Sequence, residues 1–158
     1  MYVKGALNCS NSHRIQFTTN TSKKSGGGLY CESDVTFTNL TGKTLFQGNT
    51  AEENGGGICL ADQKSLNLSN LENFCLVDNT TKKSGGGAYI PKALSFTFSN
   101  PDTVSSTTPG IVPVFGSAVI TGNTATENGG GVYTAQASLT NLKSIDIGQN
   151  SAKNGAGL

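Results

Sequence analysis

The sequence has few aromatic, sulfur-containing and charged side chains, and it has no long apolar run. Its 158 residues include no Trp, one Met and one His, and its apolar runs are short. A transmembrane helix needs about 20 consecutive apolar residues, so no segment is predicted to cross a membrane as a helix. Charge is also scarce, with 11 basic against 10 acidic side chains and a net charge of +1. The basic surface that binds nucleic acid is therefore excluded.

Small polar residues take the place of the missing types. Gly (21), Thr (19), Ser (16) and Asn (16) dominate the composition, whereas Leu, Ile, Val and Phe together number only 35. Gly, Ser, Thr and Asn oppose long helices because they favour turns, caps or strands. We expect a chain of short strands around a thin hydrophobic core.

A repeated element organises the chain. An apolar residue stands three positions before an asparagine, and in four of five copies a Gly triplet begins six positions after that asparagine. These anchor asparagines recur at intervals of 29, 30, 44 and 27 residues, and stretches of alternating apolar residues occur between them. Alternation is a strand signal, so each repeat has three short extended pieces. This pattern predicts an all-β fold, a right-handed parallel β-helix of about five coils with three short strands per coil. The predicted coils of this single domain are 1–28, 29–57, 58–87, 88–131 and 132–158.

We interpret the repeated motif residues as builders of corners and turns, in preference to receptor contacts. Asparagines at equivalent positions can stack as an amide ladder, and glycines allow positive φ or close backbone approach. The motif residues are Phe17, Asn20, Gly27, Gly28, Leu29, Phe46, Asn49, Gly56, Gly57, Ile58, Leu76, Asn79, Gly86, Gly87, Ala88, Ile120, Asn123, Gly130, Gly131, Val132, Ile147, Asn150, Gly155 and Gly157.

Stacking in register makes two further predictions. Charges after the anchor asparagines alternate in sign from coil to coil, as opposite charges on neighbouring strands favour; they are Lys23 and Lys24, Glu52 and Glu53, Lys82 and Lys83, Glu127, and Lys153. Apolar side chains should form two inward columns. We expect Leu7, Val35, Leu66, Phe96 and Ala137 in one column, and Cys9, Phe37, Leu68, Phe98 and Leu139 in the next.

The long interval of 44 residues indicates an insertion over residues 101–119. Removing about 14 residues restores the period, and the inserted stretch carries three of the four prolines, which is typical of an exposed loop. Solenoids often place recognition in such loops. An inert loop is the alternative. The candidate recognition residues are Thr103, Val104, Ile111, Val112, Val114 and Phe115.

No pattern in the sequence predicts a cofactor, a metal site or catalysis. The four cysteines form no CxxC pair, and one His makes a poor zinc site. Cys31 and Cys59 should point to opposite sides of their strands, which makes a disulfide between them improbable. Acidic residues outside the charged linkers form no column that could supply the carboxylate pair of a glycosidase. A polysaccharide-acting enzyme on a β-helix is therefore the least favoured hypothesis.

The motifs resemble those of a known family. FxxN occurs strictly at Phe17 with Asn20 and at Phe46 with Asn49, and GGA(I/L/V)-type elements occur as GGLY, GGIC, GGAY and GGVY. Paired and repeated at this spacing, they resemble the passenger domains of the chlamydial polymorphic membrane proteins. The resemblance implies type V secretion, with a signal peptide, a β-helical passenger and an outer-membrane barrel. It places the parent protein at the bacterial outer membrane or cell surface.

The same resemblance implies a function in adhesion. Members of that family are associated with attachment to host cells, and attachment requires a host cell-surface receptor. They are also associated with immune recognition and self-association. A structural stalk or antigenic spacer with no binding of its own is the alternative hypothesis. The sequence starts just inside a repeat and stops after GAG, so we expect it to be part of a longer array.

Overall fold

The computed structural model describes residues 1–98 and 116–158, which form strands and turns. The strands are β1 Tyr2–Val3, β2 Leu7–Ser10, β3 Ile15–Thr18, β4 Thr21–Ser22, β5 Leu29–Cys31, β6 Val35–Gln47, β7 Thr50–Ala51, β8 Ile58–Leu60, β9 Ser65–Val77, β10 Thr80–Thr81, β11 Ala88–Thr97, β12 Ser117–Thr121, β13 Thr124–Ala125, β14 Val132–Thr140 and β15 Ser144–Gly148.

Every described strand pair is parallel, and each strand pairs with its equivalent in the neighbouring repeats. The tyrosine face consists of β1, β5, β8 and the first parts of β11 and β14. The hydroxyl face consists of β2, the first parts of β6 and β9, and the last parts of β11 and β14. The anchor face consists of β3, the last parts of β6 and β9, β12 and β15. The predicted all-β parallel solenoid is confirmed.

The solenoid completes about four turns within the described residues. Each of the three faces has five strand levels, whereas a small separate sheet of β4, β7, β10 and β13 has four. The predicted division into three short strands per coil was incomplete. Two-residue strands follow the anchor asparagines as a fourth piece, and β6 and β9 run for 13 residues across two faces.

The core is a narrow stack of side chains from the inner sides of the three faces. The largest fully buried side chains include Phe37, Phe46, Phe74 and Phe96. Burying a phenylalanine stabilises a fold by roughly 2–3 kcal/mol, so a few such residues per turn suffice for a solenoid this thin. The Thr44 hydroxyl is a buried polar atom in this core without a hydrogen-bond partner.

The predicted inward columns were wrong by two residues at the fourth level. Leu94, and not Phe96, pairs with Leu66 and Ala137, and Phe96 pairs with Leu68. A shift of two residues keeps the same side chains inward because the strand period is two. The sequence pattern therefore cannot distinguish the two registers, and the observed columns are Leu7–Val35–Leu66–Leu94–Ala137 and Cys9–Phe37–Leu68–Phe96–Leu139.

The insertion starts and ends within an otherwise continuous ladder. Three residues separate Ser69 from Asn73 on one level, whereas nineteen separate their partners Thr97 and Ser117 on the next. Because β12 begins at Ser117, the insertion ends before the predicted limit of residue 119. Residues 117–119 belong to the solenoid.

Candidate functional site

The anchor asparagines form one continuous hydrogen-bonded ladder through all five levels. The side-chain Nδ2 of each donates to the Oδ1 of the next, over 2.9 Å from Asn49 to Asn79 and 3.0 Å from Asn79 to Asn123. The outer steps, from Asn20 to Asn49 and from Asn123 to Asn150, are both 2.9 Å. The predicted amide ladder is therefore present in the folded chain.

A second set of bonds joins the ladder to the backbone of the residues that stand three positions before the anchor asparagines. Asn79 Nδ2 also donates to the backbone carbonyl of Phe46, 2.9 Å away on the preceding level, and Asn123 Nδ2 donates to the Leu76 carbonyl at 2.8 Å. Four of the five Oδ1 atoms also accept from a backbone N–H, such as that of Asn49 onto Asn79 at 3.0 Å. The fully buried Asn79 amide thus makes four hydrogen bonds. These bonds compensate the cost of removing it from water.

Each glycine of the triplet is needed for a different reason. Gly55 has φ +67°, a conformation that side chains rarely adopt. A Cβ on Gly56 would collide with backbone oxygens of the next level, one of them Thr80 O at 2.6 Å. A Cβ on Gly57 would lie 2.6 Å from Gly87 O and 3.2 Å from the Asn79 amide carbon. The triplet thus seats one coil directly against the next and against the ladder.

Burial places most motif side chains out of reach of a ligand. Asn49, Asn79 and Asn123 have no exposed surface. Seven of the apolar motif residues are also buried, whereas Ile147 on the last level of the anchor face is 39% exposed. Those buried apolar motif residues are Leu29, Phe46, Ile58, Leu76, Ala88, Ile120 and Val132.

The charged linkers, which are the Lys and Glu residues that follow the anchor asparagines, lie next to one another on successive levels, as their alternating signs predicted. The backbone N–H of Glu53 bonds to the Lys24 carbonyl, and that of Glu127 to the Lys83 carbonyl, so these positions follow one another along the solenoid. Lys82 and Glu52 form an ion pair on the surface. Exposed ion pairs contribute at most about 1 kcal/mol. The charged linkers therefore add little to the stability of the fold.

The outward side chains differ from face to face. The hydroxyl face presents two columns of small uncharged side chains, and the tyrosine face presents an aromatic column. The hydroxyl columns are Asn8, Thr36, Asn67, Ser95 and Ser138, and Ser10, Thr38, Ser69, Thr97 and Thr140. Nothing in the sequence analysis had distinguished these faces, although the strand alternation that defines them could have done so.

All four cysteines are free thiols. Cys31 belongs to the core, whereas Cys59 lies in the outward tyrosine column between Tyr30 and Tyr89. They therefore point to opposite sides, as predicted. Burial raises the pKa of the Cys59 thiol to about 12, and burial also raises the pKa of Cys75. Neither group is an activated nucleophile, because it is the thiolate that reacts.

The candidate recognition residues of the insertion lie outside the described residues. All six, from Thr103 to Phe115, fall between Phe98 and Gly116, where the description of the chain is interrupted. The geometry on either side is defined. Phe98 N donates to Thr140 O at 3.2 Å and Gly116 N donates to Leu71 O at 2.8 Å, so both ends are fixed to the solenoid.

Comparison with known proteins gives close relatives. The chain is 52% identical over 94% of its length to "Probable outer membrane protein pmp20" of Chlamydia pneumoniae. It is 53% identical over 99% of its length to "Probable outer membrane protein PmpB" of Chlamydia trachomatis serovar D. A family model described as "Periplasmic copper-binding protein (NosD)" also matches residues 2–156. The chain belongs to the chlamydial polymorphic membrane protein family and, by this match, to the NosD family.

The relatives are much longer than the chain. This polymorphic membrane protein segment spans 9% of the length of pmp20 and 9% of that of PmpB. No solved structure matches it. Within residues 1–98 and 116–158, no helix is long and apolar enough to cross a membrane.

The description of the NosD model names copper, which raises the question whether this chain has the side chains to bind it. Copper sites draw on clustered thiolate, thioether or imidazole ligands. Across the described parts of the chain, no group of three or more His, Cys, Asp or Glu side chains is placed to hold a metal ion. Cys31 is in the core, and His13 bonds through Nδ1 to Thr41 on the surface. The residues in the described parts of the chain do not fit a copper site.

Proposed function

We propose that this chain is part of a surface-exposed passenger of a bacterial outer-membrane protein and that it mediates attachment to host cells through its insertion. The location is supported by the printed names of the relatives, which are outer membrane proteins. The adhesive role rests on one structural observation. The insertion interrupts a single level, yet β12 continues the ladder beside β9 and β15 over five residues on each side.

An intact scaffold around an inserted segment favours recognition by that segment. Repeat residues are held by their neighbours on both sides, whereas the 99–115 stretch has no equivalent on the adjacent levels. Loops on a rigid scaffold are the usual place for binding residues. The proposed partner is a host cell-surface receptor, and the proposed role is non-enzymatic, because the ladder and linkers bring no catalytic pair together.

A loop replacement tests the proposal. Replacing residues 99–115 with one glycine leaves three residues between Thr97 and Ser117, the same spacing as between Ser69 and Asn73. The matched control keeps the length and composition of 99–115 but scrambles its order. Saturable binding of the native chain to cultured epithelial cells, lost in both variants, is the expected result. Equal binding by all three proteins would assign the chain to the alternative role of a stalk or spacer.

Self-association with like passengers is a second proposed function, supported by the hydroxyl face. Ten neighbouring outward side chains on this face carry no charge, so two identical faces meet without repulsion. The variant Thr38→Lys/Ser69→Lys adds two like charges to the centre of that face. Light scattering should show a concentration-dependent oligomer for the native chain and a monomer for the variant. A native chain that stays monomeric would refute this role.

A further inference from the structure

All four tyrosines of the chain lie in one outward column on the tyrosine face. The strand register pairs Tyr2 with Tyr30, Tyr30 with Cys59, Cys59 with Tyr89, and Tyr89 with Tyr133. A chain with four tyrosines in 158 residues therefore concentrates its whole phenol content on one line. Cys59 divides that line into two separate aromatic pairs.

The two pairs are stacked face to face. The rings of Tyr89 and Tyr133 have centroids 4.9 Å apart and planes within 5° of each other. The rings of Tyr2 and Tyr30 are 5.6 Å apart and within 3°. In-register stacking holds the phenol ends of each pair side by side, so the carbons next to the two hydroxyl groups are neighbours.

The pairs differ in their surroundings. The Tyr2 hydroxyl donates a hydrogen bond to the Glu32 carboxylate, which ties one phenol of that pair to an acceptor on the neighbouring level. Tyr133 is 36% exposed and Tyr89 is half-buried, whereas Tyr2 is 60% exposed. An oxidant in solution therefore reaches both pairs, and the second pair is set apart by the shorter distance between its rings. Burial raises the pKa of Tyr89, and its phenol is therefore protonated at neutral pH.

We infer that Tyr89 and Tyr133 are a site of oxidative modification, at which one-electron oxidants couple the two rings into a dityrosine cross-link. Each phenol loses one electron and one proton to become a phenoxyl radical. The two radicals join through a carbon–carbon bond between the ring positions beside the hydroxyl groups, and two ring hydrogens move to the oxygens. With a haem peroxidase as catalyst, one hydrogen peroxide accepts the two electrons and two protons and gives two waters.

The cross-link has a structural consequence. It joins the fourth and fifth strand levels of the tyrosine face, and the residues between its ends include all of the chain from Thr97 to Ser117, where the insertion lies. A covalent link that closes a long loop restricts the unfolded chain and thereby stabilises the folded one. Oxidation would therefore stabilise the part of the solenoid that carries the insertion, whatever the insertion binds.

The test is peroxidase treatment of the folded chain at low concentration, followed by isolation of the monomer. Trypsin separates the candidate products, since Tyr89 lies in peptide 84–92 and Tyr133 in 93–143, whereas Tyr2 lies in 1–4 and Tyr30 in 25–43. We expect dityrosine fluorescence in the monomer and mass spectra of peptide 84–92 joined to 93–143 with the loss of two hydrogens. This product should exceed the Tyr2–Tyr30 product, and the thermal midpoint of the oxidised monomer should rise.

Two matched variants make the assignment specific. Tyr133→Phe retains a stacked ring but cannot form the phenoxyl radical, so it should lose the 84–92/93–143 product. Tyr30→Phe should keep that product and lose the Tyr2–Tyr30 one. Dityrosine confined to intermolecular dimers, or an oxidised monomer without the 84–92/93–143 product, would overturn the assignment.

Discussion

Two asparagine ladders run along the same solenoid, and they use asparagine for different physical reasons. The anchor ladder is buried, and its amides bond to both neighbours and to the backbone. The second ladder lies at the edge of the hydroxyl face, where Asn70 donates to Asn39 at 3.0 Å and Asn39 to Asn11 at 3.3 Å. These asparagines have positive φ, near 54°, 53° and 55° for Asn11, Asn39 and Asn70.

The difference shows what a repeated residue can mean. In the anchor ladder the side chain is required, because it satisfies polar groups that water cannot reach. In the exposed ladder the backbone is required, because asparagine tolerates the left-handed conformation better than most residues. Substitutions should therefore have opposite orders of severity at the two ladders.

The largest effect is expected for Asn79→Ala in the anchor ladder. The change removes four hydrogen bonds. The Asn49 backbone N–H loses its acceptor, Asn49 Nδ2 loses one of its two acceptors, and the Phe46 carbonyl and Asn123 Oδ1 each lose a side-chain donor. Each buried unsatisfied group costs about 1–3 kcal/mol, so we expect a loss of at least about 3 kcal/mol in the free energy of unfolding. Urea denaturation followed by circular dichroism measures it. A loss below that of Asn39→Ala would reverse the comparison.

Glycine substitutions should give the next largest effect. A Cβ on Gly86 would meet the Thr124 carbonyl oxygen at 2.7 Å, between two rigid strands. Overpacking of this kind costs about 1–3 kcal/mol, so Gly86→Ala should lower the midpoint of urea unfolding. The control is Gly5→Ala, where nothing lies within 4 Å of the added carbon. Similar midpoints for both variants would show that coil spacing is not set by the triplet.

The sequence predicted the anchor ladder because its residues recur at almost constant spacing once the insertion is removed. Asn49, Asn79 and Asn123 were all assigned to stacked corners, and the alternating charges correctly indicated neighbouring coils. The fourth level was misaligned because Phe98 stands two residues before Asn100, as Leu68 stands before Asn70. In the structure, Phe96 and not Phe98 pairs with Leu68. A period of two accommodates either register, so only packing decides between them.

Other features had no signal that the residue pattern could supply. The residue before each anchor asparagine has positive φ whether it is Gly48, Asp78 or Thr19. Threonine is a poor residue for that conformation, so its identity gave no hint of the turn. The small separate sheet of β4, β7, β10 and β13 was not predicted either, because strands of two residues are too short to show alternation.

Backbone conformation, and not the amide, should control the exposed ladder. Asn39→Gly keeps the positive φ without a β-carbon, whereas Asn39→Ala keeps the β-carbon and loses the polar side chain that makes the left-handed region accessible to asparagine, at a cost of up to about 1–2 kcal/mol. We expect the glycine variant to unfold at nearly the native urea concentration and the alanine variant clearly below it. Equal losses in both would mean that the exposed amide bonds matter more than the backbone.

A buried hydroxyl outside either ladder should be dispensable. Thr44 Oγ1 is buried without a hydrogen-bond partner, unlike the anchor amides. Thr44→Val has nearly the same shape and removes the unsatisfied oxygen, so we expect a gain of about 1 kcal/mol in the free energy of unfolding. Thermal unfolding is the measurement, with Thr50→Val on the small sheet as control. Destabilisation by Thr44→Val would reveal a partner for this hydroxyl.

The smallest effect is expected at the charged corner. Lys82→Ala removes the exposed ion pair with Glu52, and exposed pairs contribute about 0–1 kcal/mol. The free energy of unfolding should change by less than about 0.5 kcal/mol, and addition of 1 M NaCl should abolish even that difference. A larger loss that persists in salt would place this corner among the elements that hold the solenoid together.

Hydrogen exchange of the asparagine side-chain amides tests the central claim directly, because it compares the two ladders within one molecule. NMR spectra of the ¹⁵N-labelled chain in D₂O would follow the Nδ2 protons of Asn49, Asn79 and Asn123 beside those of Asn11 and Asn39. The account predicts that the anchor amides exchange only as the whole solenoid unfolds, and that the exposed amides exchange within the dead time. Fast exchange of the anchor amides in the folded chain would contradict the claim that they hold the coils together.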